Sequence, residues 1–79
     1  MLRLKIVSPE KVIYDGEVES VKVPGTQGAF EILNNHAPII SSLGDGKVEF
    51  TASQGSRSID VRGGFVEVKK NEVCLCVEV

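Results

Sequence analysis

The 79-residue sequence predicts an all-β fold, a two-sheet antiparallel β-sandwich of about ten short strands. Three observations predict it: apolar and polar residues alternate over short stretches, turn-forming residues separate these stretches, and no long stretch has a helical period. Two sheets packed face to face bury the one apolar face that each of them has. We expect a single domain over residues 1–79, because a chain of this length holds one core.

The first strands of the predicted sandwich come from the N-terminal part of the chain. Residues 2–6 alternate leucine and isoleucine with arginine and lysine, and Pro9 ends this strand because it removes a donor from the ladder. A short apolar run follows over residues 12–14. The dipeptide Asp15-Gly16 then predicts a tight turn, since both residue types tolerate positive φ.

The next stretch changes its alternation phase. Val18 falls in one phase, whereas Val21 and Val23 fall in the other. An extra residue in one strand produces such a change, so we expect a β-bulge near Glu19-Ser20.

The remaining strands are separated by residues rich in Gly, Asn, Ser and Pro. Residues 34–38 form the least strand-like stretch of the chain, and Gly63-Gly64 predicts a bend or a close approach of two backbones. The last strand is apolar in both phases at its centre, which predicts cover on both sides. The further predicted strands are residues 29–33, 39–43, 47–52, 58–62, 65–68 and 73–79.

Composition and charge exclude several classes of protein. Nine basic against eleven acidic residues give a net charge of -2, without the clustered basic surface that nucleic-acid binding requires. Arg3 and Lys5 interrupt the N-terminal apolar stretch, so it does not resemble a secretory signal. No apolar run approaches the roughly 20 residues that span a bilayer. We therefore expect neither a nucleic-acid partner nor a membrane-spanning segment.

Groups for catalysis or for holding a cofactor are also lacking in the sequence. The single histidine, His36, is the one imidazole that could act as a base, and no serine lies in a G-x-S-x-G motif. No phosphate-binding glycine motif occurs. Cys74 and Cys76 supply half of a zinc site at most, and residues two apart in a strand are about 6.5 Å apart, near the limit for a disulfide. We expect packing thiols, no metal, no cofactor and no catalytic residue.

Two separated motifs carry a resemblance to a known family. Residues 21–40 read VKVPGTQGAFEILNNHAPII, with Asn35-His36-Ala37-Pro38 as the most specific part, and residues 63–73 read GGFVEVKKNEV. Together they resemble the N-terminal β-sandwich domain of the epsilon subunit of F-type ATP synthases. The chain departs from the family pattern at Glu31, where glycine is common, and at Asn34, where proline is common.

The resemblance also bears on length. The family usually continues past the sandwich into a two-helix C-terminal hairpin, whereas this sequence stops at Val79. A naturally short form and a chain cut at the domain boundary are both compatible with that stop. Inhibition of ATP hydrolysis and nucleotide sensing, which belong to the family's hairpin, are therefore not expected of this chain.

The resemblance implies a non-catalytic rotor subunit in the central stalk of a proton-translocating ATP synthase, peripheral to the cytoplasmic face of the bacterial plasma membrane. Its implied partners are the gamma subunit and the c-ring, and its implied role is to couple ring rotation to ATP synthesis. Glu31 could supply the charge that family members often carry near Ala29. The positions that match gamma contacts are Ser8, His36 and Ser41. The positions that match c-ring contacts are Gln27, Gly28, Ala29 and Phe30.

A carrier module is the alternative interpretation. Lipoyl and biotinyl domains are all-β, of similar length, and present a lysine at a hairpin tip, as Lys69 or Lys70 would do here. Those families favour Asp-Lys-Ala or Met-Lys-Met at the tip, whereas residues 68–71 read VKKN. The epsilon interpretation therefore has the stronger sequence support.

Overall fold

The computed structural model describes residues 1–35 and 37–79, and these residues form nine β-strands. Within the described ranges no helix is long and apolar enough to cross a membrane. The strands are β1 Leu2–Val7, β2 Val12–Val18, β3 Ser20–Gly25, β4 Gly28–Leu33, β5 Ile39–Leu43, β6 Gly46–Ala52, β7 Gly55–Val61, β8 Gly63–Lys69 and β9 Glu72–Glu78.

The strands form one curled sheet in the order β2-β1-β9-β8-β5-β3-β6-β7, with β4 paired to β3. The sheet turns from one half to the other where Gly25 of β3 pairs with Leu43 of β5. Its two halves then face each other across a shared core. The predicted all-β sandwich is confirmed, although the first and last strands, β1 and β9, pair in parallel.

Strict alternation builds the core. In β1, Leu2, Leu4 and Ile6 are fully buried, whereas the residues between them are exposed. In β6, Val48 and Phe50 are buried in the same way. Each such aliphatic or aromatic side chain stabilises the fold by about 1.5–3 kcal/mol when it leaves water. The period-two pattern thus fixes which face of each strand lies inside.

The last strand has one open face, which corrects the prediction that it is covered on both sides. Val73, Leu75 and Val77 of β9 are buried, but Cys74 and Cys76 are half-buried on the opposite face. The two apolar phases therefore differ in environment, because β9 lies in the middle of one half of the sheet and only its inner face meets the core.

The predicted turn at Asp15-Gly16 is wrong, since both residues lie within β2. Asp15 pairs with Lys5 and Gly16 with Leu4 in the antiparallel ladder between β1 and β2. Arg3 also donates to the Asp15 carboxylate at 2.8 Å. The turn preference of two residues is local, and the ladder with β1 outweighs it.

The predicted bulge near Glu19-Ser20 corresponds to a break between strands. β2 ends at Val18 and β3 begins at Ser20, so Glu19 lies where the chain leaves one half of the sheet for the other. Its backbone N–H donates to the carbonyl of Thr51 on β6 at 2.7 Å. The phase change in the sequence is real, but a change of layer causes it.

The predicted close approach at Gly63-Gly64 is confirmed at Gly64. This residue has a φ of 137°. It pairs with Val77, and a Cβ added to it would lie 2.0 Å from the carbonyl oxygen of Cys76. Only glycine fits between β8 and β9 at this position.

Candidate protein-binding surface

The hairpin between β3 and β4 carries the residues predicted to contact the c-ring. Gly25 pairs with Gly28, which leaves Thr26 and Gln27 at the tip. Gln27, Gly28 and Ala29 are exposed, whereas Phe30 is half-buried and packs against the core. The first three are therefore available to a partner, and Phe30 anchors the hairpin.

Two backbone hydrogen bonds hold this hairpin against β5 and the residue after it. Thr26 N–H donates to the Ser42 carbonyl at 3.1 Å, and Gly44 N–H donates to the Pro24 carbonyl at 2.7 Å. Both bonds lie on the β3 side of the hairpin, and they restrict its movement relative to the sheet. The exposed tip thus projects from a fixed base.

Ser41, predicted to contact gamma, lies beside this hairpin. It is half-buried in β5, and its hydroxyl donates to the Ser42 carbonyl at 3.3 Å. Ile40, Ser41 and Ser42 line a groove of about 610 Å³ together with residues 25–30 of the hairpin. The structure therefore brings Ser41 next to the predicted c-ring loop.

Ser8, the second predicted gamma contact, follows β1 and organises the turn into β2. Its backbone N–H donates to the Lys11 carbonyl at 2.9 Å. Its hydroxyl oxygen accepts from the backbone N–H groups of Lys11 at 3.3 Å and Glu10 at 3.4 Å. β9 and β8 separate β1 from β5 in the sheet. Ser8 follows β1 and Ser41 lies in β5, and these two strands are about 14 Å apart, three interstrand spacings of about 4.8 Å.

His36, the third predicted gamma contact, lies outside the described residues. Its neighbours Asn35 and Ala37 are both exposed. Asn35 has a φ of 64°, and its N–H donates to the Asn71 Oδ1 at 2.8 Å. Asn71 belongs to the turn between β8 and β9, so a tertiary contact holds the chain that leads into position 36.

A surface apolar region connects Ser8 with β5. Phe65 of β8 is 46% exposed and Ile40 of β5 is 75% exposed, although both are large apolar residues. Phe65 pairs with Ser42 on one side and with Cys76 on the other. It also lines, with Ser8, a depression of about 350 Å³ whose walls are mostly apolar. A folded chain gains nothing from leaving these side chains in water, so the region has the character of a contact surface.

Sequence reasoning did not assign a binding role to Phe65, although the signal was present. In residues 65–69 the valines Val66 and Val68 share one phase, whereas Phe65, Glu67 and Lys69 share the other. The phase that contains two charged residues must face outward. Phe65 could therefore have been placed on the surface from its spacing alone.

The outer face of β9 holds the two thiols. Cys74 lies opposite Lys5 of β1 and Glu67 of β8 in the ladders. Burial raises the pKa of the Cys74 thiol, and Cys76 raises it further through its charge and a side-chain hydrogen bond. Lys5 acts in the opposite direction. In residues 1–35 and 37–79, no cluster of three or more His, Cys, Asp and Glu side chains could hold a metal ion.

Glu31 points outward from β4, next to the predicted c-ring loop. It is exposed and pairs with Lys22 of β3, which in turn pairs with Glu49 of β6. That Glu31 supplies the charge which family members often carry near Ala29 thus remains a prediction.

Comparison with known proteins identifies the family of this sandwich. Residues 1–79 match the family described as "ATP synthase, Delta/Epsilon chain, beta-sandwich domain". The chain belongs to this ATP synthase family.

Relatives in bacteria agree with the family match. The chain is 46% identical over 77 residues to the ATP synthase epsilon chain of Leptospira borgpetersenii, a match that covers 98% of this chain and 61% of that protein. It is 43% identical to the ATP synthase epsilon chain of Chlorobium limicola, of which the match covers 88%. It thus spans less than two thirds of the Leptospira relative and most of the Chlorobium one.

Solved structures share the Delta/Epsilon sandwich fold. A chain of the Euglena gracilis mitochondrial ATP synthase superposes with a TM-score of 0.89 at 20% identity, over 96% of this chain and 49% of that one. A chain of the Tetrahymena thermophila mitochondrial ATP synthase superposes with a TM-score of 0.82 at 16% identity, over 99% of this chain and 63% of that one. At such identities the likeness concerns the fold.

The two lysines on which the alternative carrier interpretation depends, Lys69 and Lys70, lie at the hairpin between β8 and β9, as the sequence predicted. Lys69 ends β8, and Lys70, with a φ of 57°, begins the turn into β9. Both are exposed. Exposure at a hairpin tip is common to many proteins, and membership in the Delta/Epsilon family favours the epsilon interpretation.

Proposed function

We propose that this chain is the sandwich of a non-catalytic epsilon subunit in the central stalk of a proton-translocating ATP synthase. The observation that carries the proposal is the family match over residues 1–79. The role follows from it: the sandwich binds the gamma subunit and the c-ring, and it helps to couple ring rotation to ATP synthesis. Its place is peripheral, on the cytoplasmic face of the bacterial plasma membrane, in line with the bacterial epsilon-chain relatives.

The gamma surface that we propose runs from Ser8 across Phe65 to Ser42 of β5. The half-buried Ser41 beside it and His36 are further contacts. The exposed ring of Phe65 and the exposed side chain of Ile40 supply apolar area, which drives most protein association. The serine hydroxyls at the two ends can exchange hydrogen bonds with a partner and so fix its register. An apolar centre with a polar rim is the usual arrangement of a protein interface.

The c-ring surface that we propose is the tip of the β3–β4 hairpin, Gln27, Gly28 and Ala29, with Phe30 at its base. These three exposed residues fit a contact with the polar loops of a membrane-embedded ring, since they need no apolar partner. Phe30, packed against the core, transmits load from the tip into the sandwich.

The path between the two surfaces is short and stiff. The hairpin is hydrogen-bonded to β5 through Ser42, and Ser42 pairs with Phe65 on β8. A close-packed core lies beneath all of these strands. Because packed interiors have low compressibility, a force on the hairpin reaches the gamma surface with little deformation.

Binding to a purified gamma subunit tests the proposal. We expect the 79-residue chain to form a stable complex with gamma on size-exclusion chromatography and to copurify with it on coexpression. A chain that is folded by circular dichroism and yet does not bind gamma would refute the proposed role.

A matched pair of serine variants locates the surface. Ser42→Arg places a long charged side chain beside Phe65 on the proposed gamma surface, whereas Ser58→Arg places it on β7 in the other half of the sheet. Both serines are exposed. We expect Ser42→Arg to weaken gamma binding by at least tenfold, by analogy with other interface disruptions of about 1.4 kcal/mol or more. Ser58→Arg should bind as the parent chain does, and equal loss in both variants would argue against this surface.

A further inference from the structure

The thiols of Cys74 and Cys76 form a pair on the open face of β9. They alternate with the buried residues Val73, Leu75 and Val77, so both point away from the core. Both are free and only partly buried. Two sulfur atoms therefore lie side by side at a surface that water reaches.

The spacing of this pair suits a bridging atom better than a direct sulfur–sulfur bond. Residues two apart in a strand are about 6.6 Å apart, at about 3.3 Å per residue. A disulfide needs its two sulfurs about 2.05 Å apart, which would bend the strand. A metal between two thiolates holds the sulfurs about 4.6 Å apart, twice a metal–sulfur bond of about 2.3 Å. Parallel cysteine side chains reach that separation by leaning slightly together.

The number of ligands restricts the kind of metal. Structural zinc requires four ligands. In the part of the chain that the structure describes, no third His, Cys, Asp or Glu side chain completes a metal-binding cluster with the two thiols. Soft thiolate ligands favour Cu(I), a d10 ion that two sulfur atoms can satisfy.

We propose that Cys74 and Cys76 form a two-coordinate binding site for Cu(I). On binding, two S–Cu bonds form, two thiol protons pass to solvent, and no atom changes oxidation state. The resulting site carries one negative charge. Lys5, directly opposite Cys74 on β1, supplies a compensating ammonium group, and Glu67, opposite Cys74 on β8, offsets part of that compensation. Val7 and Phe65, opposite Cys76, give the other end of the site apolar walls. This site does not depend on the proposed epsilon function.

Titration of the isolated 79-residue chain with Cu(I) tests the site. The chain is reduced, kept free of oxygen, and titrated with Cu(I) in competition with a chromogenic Cu(I) chelator. The gamma subunit is left out because Cys76 lines the depression beside Ser8, which belongs to the proposed gamma surface. We expect one Cu(I) per chain, a thiolate-to-copper charge-transfer absorption, and a monomeric product. No binding in competition with the chelator, or one copper bridging two chains, would overturn the proposal.

Single-thiol variants supply the control. Cys76→Ser and Cys74→Ser each keep one sulfur, and we expect each to bind Cu(I) at least 100-fold more weakly than the parent chain. Affinity equal to that of the parent in either variant would show that one thiol suffices and would refute the paired site. Thermal unfolding verifies that each variant folds. Alkylation of both thiols in the parent chain should also abolish Cu(I) binding, and it repeats the test without any substitution. Zn(II) should not bind stoichiometrically, and stoichiometric Zn(II) binding would contradict the two-ligand assignment.

Discussion

Gly64 lies so close to Cys76 that a Cβ atom added to the glycine would be 2.0 Å from the carbonyl oxygen of the cysteine. Gly64 also has a φ of 137°, a conformation that other residues rarely adopt. We expect Gly64→Ala to lower the free energy of unfolding by about 3–5 kcal/mol, because backbone strain and steric overlap add. Urea denaturation followed by circular dichroism measures this loss.

Gly55→Ala is the matched control for that substitution. Gly55 has a similar φ of 129°, but a Cβ added there would meet no atom within 4 Å. Its replacement should cost only the conformational strain, about 1–2 kcal/mol. Equal losses in the two variants would show that the contact with Cys76 contributes nothing.

An aromatic pair joins the two halves of the sheet. The rings of Tyr14 on β2 and Phe50 on β6 have centroids 4.5 Å apart, and the Arg57 guanidinium lies 5.6 Å from the Phe50 ring centroid. We expect Phe50→Ala to destabilise the fold by about 3–5 kcal/mol. A double-mutant cycle with Arg57→Ala should give a coupling of about 0.5–1 kcal/mol.

Arg62 is the reference residue for this double-mutant cycle. It is also an arginine, but it lies at the junction between β7 and β8 and not over the Phe50 ring. The same cycle with Arg62→Ala should give a coupling near zero. If Arg57 and Arg62 couple equally to Phe50, then the guanidinium above the ring does not stabilise the fold through that ring.

Phe65 should be the main apolar anchor for gamma. We expect Phe65→Ser to weaken gamma binding by at least about 30-fold, because truncation of a central aromatic residue costs about 2 kcal/mol or more in many interfaces. Leu33, on β4, is 52% exposed against 46% for Phe65 and lies in the other half of the sheet. Leu33→Ser should leave the affinity for gamma unchanged, as measured by calorimetry. A loss of similar size for Leu33→Ser would place the contact elsewhere.

Two glutamines at exposed hairpin turns allow a similar comparison for the c-ring. Gln27 is in the turn between β3 and β4, and Gln54 is in the turn between β6 and β7. We expect Gln27→Trp to reduce binding of the chain–gamma complex to purified c-ring by at least tenfold, because a bulky ring prevents close approach. Gln54→Trp should bind normally in the same sedimentation experiment. Unimpaired binding of Gln27→Trp would remove this turn from the c-ring surface.

The thiol of Cys74 should show a pH dependence that differs between the folded and unfolded chain. Its pKa is raised in the fold by burial and by Cys76. The unfolded thiol therefore loses its proton first as pH rises, near its ordinary pKa of about 8.5. Between that pKa and the raised one the folded chain binds more protons, so its free energy of unfolding decreases with increasing pH there and is unaffected below.

Alkylation rates measured by mass spectrometry verify this direction. The midpoint of the rate against pH should lie higher for Cys74 in the folded chain than in urea. Cys76→Ser removes one cause of the raised pKa and leaves the burial of Cys74. The Cys74 midpoint in this folded variant should therefore lie between the midpoints of the folded parent chain and of the chain in urea. A folded midpoint at or below the unfolded one would contradict the environment of Cys74 described above.

Local pattern accounts for most of what could be predicted. The alternation of Leu2, Leu4 and Ile6 fixed the buried face of β1, because a period of two leaves no other arrangement with one apolar face. The same reasoning located β6, and the glycine pair Gly63-Gly64 predicted the close approach found at Gly64. The predicted turn at Asp15-Gly16 was wrong because the turn preference of these residues competes with their pairing to β1, and the local sequence does not reveal that partner.

The sequence by itself determined the all-β class, the inward face of each regular strand, and, through its motifs, the resemblance to the epsilon family. Only the tertiary structure decided that β1 and β9 pair in parallel, that Ser41 lies beside the β3–β4 hairpin, and that Phe65 adjoins Ser8. The reason is physical. Alternation records whether a side chain meets the core, whereas strand order depends on contacts between residues far apart in the chain, and those form only when the whole sheet closes around its core.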